Sequence, residues 1–160
     1  MMSAQSETTK TLYEQDFYQW LETTAKLLKA RHFEALDLEN LIEEIESMGR
    51  SEKRELENRL IAIIEHLLKL LYWYSETEYN ASGWRGTVIE QRRQVERLLK
   101  DSPSLKFFVG EIFLECYEIA RKDILKKYEL PPEMFPLHPP FGLTEALNPD
   151  YLPTSDDPAC

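Results

Sequence analysis

The side chains best able to ligate a metal or move a proton near neutral pH are the histidines, and this chain has three: His32, His66 and His138. A carboxylate-bridged dimetal site in a helical bundle needs Glu-x-x-His on two helices and a further Glu on each of two others. The residues three before these histidines are Lys29, Ile63 and Phe135, so that signature fails at every histidine. No C-x-x-C or H-E-x-x-H occurs, and Gly83 and Gly86 stand alone, with no preceding strand and no G-K-[S/T]. Of the two cysteines, Cys116 lies in an apolar helical stripe and Cys160 at a frayed end, so neither is an attractive nucleophile. No metal site and no cofactor is expected.

Four charged or titratable residues flank apolar stripes and form the candidate polar cluster: Asp16, Glu44, His66 and Arg92. His66 has two readings. It is either a partly buried histidine donating to a neighbouring helix, or a ligand or general base facing Glu43 or Glu44. Asp16 is either a surface carboxylate, one bonded to an indole or backbone N–H, or a member of the cluster. If the four converge between helices, the chain is a small-molecule- or metal-dependent enzyme.

The elements that must position these residues are helical. Residues 36–74 read as a helix, a stop at Gly49 and a longer helix from Ser51. Asp37 is placed to cap the first, and Leu38, Leu41, Ile42, Ile45 and Met48 recur at the spacing of one buried stripe. The second begins amphipathic, with Leu56, Leu60, Ile63, Ile64, Leu67 and Leu71 on one face. After Leu60 it is apolar on most sides, so residues 51–74 are expected to be the hub.

Before the hub pair, a helix over 12–30 presents Tyr13, Phe17, Trp20, Thr24, Leu27 and Leu28. After it, Ser75 to Gly83 reads as a loop, and Thr87 with Glu90 has the spacing of a capping box. The helix so begun is locally basic, with Arg85, Arg92, Arg93, Arg97 and Lys100. Its charges complement the carboxylates between Asp37 and Glu57, or else form a basic patch for an anionic ligand. A fifth helix follows Ser102-Pro103, capped by Ser102 or Asp101, and runs to about Tyr128.

Eight of the nine prolines lie beyond Leu130, which excludes long helices there. Met134, Phe135, Phe141 and Leu147 make that stretch too apolar for a free tail. The expected organisation is a disordered stretch at 1–10, a bundle at 11–130, an extended segment packed on it at 131–153, with one helical turn near 144–147, and a disordered tail at 154–160. The fold class is therefore all-α: an irregular bundle of about five helices with a Pro-rich extended C-terminal segment wrapped on it.

The 160 residues carry a formal charge of −10. That balance opposes non-specific nucleic-acid binding and an anionic membrane surface. The polar N-terminus lacks an apolar signal core, and the most apolar run, 60–74, is interrupted by Glu65, His66 and Lys69. No membrane partner is expected, nucleic acid is disfavoured, and a cytoplasmic setting fits the cysteine usage.

The order Tyr13…Asp16-Phe17…Trp20, then LENLIEEIESMGRSEKRELENRL, HLLKLLYW, Trp84…Thr87…Gln91-Arg92, SPSL, Tyr117…Ala120-Arg121 and Leu130-Pro131…Phe135-Pro136 resembles the domain-of-unknown-function family number 29, common in cyanobacteria and other bacteria. The resemblance spans about residues 13–152 and implies an all-helical fold; it brings no catalytic residues, although the candidate cluster matches the family's recurring pattern. Where relatives commonly carry Trp directly after HLLK, this chain has Leu70 and places Trp at 73.

Tyr72, Trp73 and Tyr74 are consecutive and project in different directions from the end of the hub, so they are the candidate interface. The function expected from the sequence is a helical protein-interaction module, homodimeric or bound to another protein.

Overall fold

Helix-forming residues dominate the chain, and the computed structural model, which describes residues 4–154, is all-helical among them. The helices are α1 (Ala4–Gln15), α2 (Phe17–Lys29), α3 (Leu38–Tyr72), α4 (Tyr74–Asp101), α5 (Leu105–Lys127) and α6 (Leu143–Leu147), with short 3-10 turns at Phe33–Ala35 and Pro132–Met134. None of these helices is long and apolar enough to cross a membrane. Two compact units divide the chain, Met1–Ser51 and Glu52–Cys160. The tail expected to be disordered lies, from residue 155 on, outside the described residues, as does Cys160.

In the first unit, the single helix expected over 12–30 is two helices. Asp16 is extended (φ −151°), and its carboxylate accepts a hydrogen bond from the Gln19 N–H at 3.0 Å, starting α2 afresh. α1 begins at Ala4, inside the stretch expected to be disordered, and its Ser6 hydroxyl donates to the Leu36 carbonyl at 3.0 Å. α2 ends in a Schellman turn. Arg31 takes the left-handed conformation (φ 59°), its N–H reaches the Leu28 carbonyl, and the His32 N–H reaches that of Leu27. Leu27, Ala35 and Leu36, with Leu41 against them, form a small core. Asp37 caps α3 as expected, accepting from the Asn40 N–H at 3.4 Å.

Two expectations about α3 are corrected. Gly49 does not stop it and Ser51 does not restart it: α3 is one helix of 35 residues, and no glycine among those described has a positive φ. A helix-interior glycine costs only about 1 kcal/mol, which strong helix formers on both sides can carry. The stripe is also not buried. Leu38, Ile42, Ile45 and Met48 are 59, 47, 60 and 67 % exposed, and of the five only Leu41 packs on a core. Spacing decides that these residues share a face; it does not supply a partner for it.

In the second unit, the later part of α3 is the hub that the sequence suggests. Leu56, Leu60, Ile63, Ile64, Leu67, Leu68 and Leu70 are almost wholly buried. The loop expected at 75–83 is helix, and so is the start expected at Thr87. α4 runs from Tyr74, and the Thr87 hydroxyl donates back to the Gly83 carbonyl one turn earlier, so it caps nothing. Burial outweighs the weak helix propensity of Asn80, Ser82 and Gly83, since Val88 is buried and Ala81 and Trp84 pack on the core. α5 begins after Ser104, which makes no side-chain cap, and Ser102 instead ends α4. A second Schellman turn, with Glu129 at φ 52°, closes α5.

The Pro-rich stretch adds Phe135, Phe141 and Ala146 to this core. Its carbonyls are taken by side chains of α5. Arg121 donates to Phe135 (3.0 Å) and Pro132 (2.6 Å), and the Tyr117 hydroxyl donates to Pro136.

Candidate functional site

α4 turns Val88, Arg92, Val95 and Leu99 to one side, at steps of four, three and four residues. Three are apolar, so the fold carries a guanidinium into an otherwise oily stripe. Arg92 is 5 % exposed. A buried cation is tolerated only with hydrogen-bond partners. α6 provides them, because the last carbonyls of a helix have no partner within it. Arg92 Nε donates to the Ala146 carbonyl at 2.8 Å, and Nη2 to that of Glu145 at 3.2 Å. The turn that aims α6 is held at its start, where the Glu145 carboxylate accepts from the Gly142 N–H at 3.1 Å. Arg92 Nη1 is buried and has no hydrogen-bond partner among the described residues. Burial pushes the guanidinium below its ordinary pKa, with Tyr151 acting in the opposite sense.

Beside Arg92 lies a half-open cavity of about 820 Å³. Ile89, Val95, Leu99, Leu147, Pro149 and Leu152 supply apolar wall; Arg92, Arg93, Lys100 and Lys106 supply cations; Glu96 is the one carboxylate among the described residues that line it. Arg93 also pairs with Glu90 on its own helix at 3.0 Å. The local excess of positive charge contrasts with the −10 of the whole chain. A cavity of this size with a few polar groups on an apolar lining has the character of a small-molecule site.

The other residues of the candidate cluster each have a partner of their own. Asp16 caps α2, and Glu44 accepts a 2.5 Å hydrogen bond from the Tyr13 hydroxyl, both within the first unit. In the second unit, His66 Nδ1 donates to the Ala62 carbonyl at 2.8 Å, one turn back on its own helix. Burial pushes its pKa down, the bond to Ala62 opposes this, and Lys69 and Lys127 add to the lowering. Arg92 and His66 thus bind carbonyls on different elements, α6 for the one and α3 for the other. Among the described residues no group of three or more His, Cys, Asp or Glu side chains is placed to hold a metal ion.

Of the candidate interface, Tyr74 is 55 % exposed. Tyr72 is half-buried with its ring edge-on to Phe135 at 6.2 Å, and Trp73 is half-buried between Trp84 and Tyr128. Lys69, buried one turn before Trp73, sets its ammonium over the Tyr128 ring at 5.0 Å and donates to the Tyr128 hydroxyl at 3.3 Å. Cys116 is fully buried, and its thiol is pushed up to about 12 by that burial, with Glu57 and Glu115 adding to the shift.

The sequence singles out Arg92 but not its acceptors. The signal was an arginine at a stripe position of an amphipathic helix; the carbonyls of Glu145 and Ala146 could not be found, because any residue type presents a carbonyl. Lys106 reaches the cavity wall from the first turn of α5, and nothing local marks it.

No curated protein and no solved structure matches the chain. The family model described as Domain of unknown function DUF29 matches residues 12–152, and the chain belongs to that family.

Proposed function

We propose that this protein is a helical interaction module that pairs with a second copy of itself through the apolar face at residues 38–48 of α3. The observation that carries the reading is the exposure of Leu38, Ile42, Ile45 and Met48, at spacings of four, three and three residues. Such spacing is that of a seam between two helices. In the first unit, nine large apolar side chains among the described residues are at least 41 % exposed, whereas Trp20, Leu27, Ala35 and Leu36 are its buried ones. So small a core leaves the unit short of apolar burial, and a partner helix supplies it.

Charge favours a second copy as that partner. Glu39, Glu43 and Glu46 lie along the first three turns of α3, and Arg50, which pairs with Glu43 on its own exposed helix face at 2.7 Å, follows the stripe. An antiparallel twofold pairing centred near Ile45 sets each Arg50 against the acidic start of the other α3, and the contact is self-complementary, as an isologous interface must be. The extended C-terminal segment stays docked on the second unit in this assembly. A cytoplasmic setting is part of the proposal, supported by Cys116, a buried free thiol.

The alternative, an enzyme built on Asp16, Glu44, His66 and Arg92, has less support, because each of those side chains is already engaged by a separate partner.

Light scattering during size-exclusion chromatography tests the pairing. The expected result is dimer mass at micromolar concentration, and monomer mass for Ile42→Glu/Ile45→Glu with an unchanged far-ultraviolet dichroism spectrum. A wild-type protein that remains monomeric over that range, or a folded double variant that remains dimeric, overturns the reading.

A further inference from the structure

We infer that the cavity beside Arg92 is a binding site for an amphipathic organic anion: a carboxylate carrying an apolar chain. The site lies wholly in the second unit and is independent of the pairing face on the first.

Three observations converge on this ligand class. The first is the unfinished coordination of Arg92. A guanidinium has five N–H donors. Here Nε and one N–H of Nη2 are satisfied by α6, while Nη1 is buried without a partner. A buried donor left unpaired is costly, and a carboxylate oxygen is the acceptor whose geometry an arginine matches best. The cap on α6 engages Nε and Nη2 and leaves Nη1 unexplained; Nη1 has almost no accessible surface as the side chain stands, so a carboxylate pairs with it once the guanidinium turns towards the cavity.

The second observation is the lining. Val95, Leu99, Leu147 and Leu152 form an apolar trough that a hydrocarbon chain can fill, and about 820 Å³ is ample for a medium-chain acid. A small hydrophilic anion such as inorganic phosphate would leave that wall wet. The third is charge. Lys100 and Lys106 are exposed at the cavity while Glu96 is the single carboxylate among the described residues that line it, so an anion is drawn to this face of an otherwise acidic chain. The carboxylate is placed at Arg92, and the chain lies along the α4 stripe towards Leu99.

Isothermal titration of the full chain with decanoate and, separately, with decanol tests the assignment. Decanoate is expected to bind saturably at one site per chain, and decanol to bind at least about tenfold more weakly, since it lacks the charge that the guanidinium recognises. Arg92→Gln is expected to lose decanoate affinity by about tenfold or more. Because that change removes a buried contact to α6, Lys100→Glu/Lys106→Glu provides a second route at exposed positions. It is expected to weaken decanoate several-fold, and to leave decanol unchanged. Ile42→Glu/Ile45→Glu is expected to bind decanoate as the wild type does, which separates this site from the apolar face of the first unit. Equal binding of decanoate and decanol overturns the proposal, as does a folded Arg92→Gln variant, or the double lysine variant, with unchanged decanoate affinity. A loss of decanoate binding in Ile42→Glu/Ile45→Glu would place the ligand on the first unit and overturn it as well.

Discussion

Replacing Gly49 by alanine separates two conformations of the chain by the sign of its effect. If Gly49 closed a helix, it would sit in the left-handed region, where a Cβ costs about 1–2 kcal/mol. In the structure it lies inside α3 without a positive φ, is exposed, and has nothing within 4 Å of where a Cβ would be. The substitution then meets no clash, gains helix propensity of about 0.8–1.0 kcal/mol and lowers the entropy of the unfolded chain. Gly49→Ala is therefore expected to raise stability by about 1 kcal/mol. Gly110→Ala is a reference, because Gly110 is also exposed inside a helix, α5, with nothing within 4 Å of its Cβ position. Urea unfolding followed by far-ultraviolet dichroism, at one fixed protein concentration, reads both. A loss of stability in Gly49→Ala beside a gain in Gly110→Ala would refute a continuous α3. It would also remove the rigid element that presents Ile42, Ile45 and Met48.

Glu129→Gly relieves the left-handed strain at the end of α5 (φ 52°) and should stabilise the protein by about 0.5–1 kcal/mol relative to Glu129→Ala, which removes the same charge but keeps a Cβ; equal stabilities would argue against the turn. Phe135→Ala should cost about 3–5 kcal/mol in chemical denaturation, since the ring is 1 % exposed in the core of the second unit; a cost within experimental error would mean the Pro-rich stretch is not docked. His66 has a pKa held below its ordinary 6.5 by burial, so its contribution to stability is present above pH 6.5 and is lost as pH falls through the lowered folded value. Wild type should therefore lose more stability than His66→Gln between pH 7 and pH 5; parallel curves would contradict the burial. Glu65 is shifted upward by burial, which acts in the opposite sense, but it is common to both proteins and cancels in the comparison. Cys116, fully buried with its thiol pushed up to about 12, should resist alkylation at pH 8 until urea unfolds the chain; fast labelling of the native protein would show the α3–α5 packing to be open.

Helix content, the hub over 56–71 and the helical turn of α6 were legible in the sequence, because each rests on local periodicity or on the positions of proline. The caps at Asp16 and Asp37 are equally local. Asp37 reads as a cap and is one; at Asp16 the sequence allows a backbone partner, but nothing local announces the break it makes between α1 and α2. The errors at Gly49, at 75–83 and at Thr87 begin alike, since glycine, serine and asparagine lower helix propensity by at most about 1 kcal/mol each. At 75–83 and Thr87 the burial of residues such as Val88 and Trp84 outweighs that, and at Gly49, where the neighbours are exposed, strong helix formers on both sides do.

What the sequence determined by itself was therefore periodicity, which residues share a face, and the stretch from which proline excludes long helices. What only the tertiary structure decided was the fate of each face. The stripe at Leu38–Met48 and the stripe at Val88–Leu99 follow the same helical periodicity, yet the first is largely exposed and the second is buried or half-buried with an arginine in its midst. Partners distant in sequence make that difference. The carbonyls that hold Arg92 lie more than fifty residues away, and a carbonyl leaves no mark on residue type.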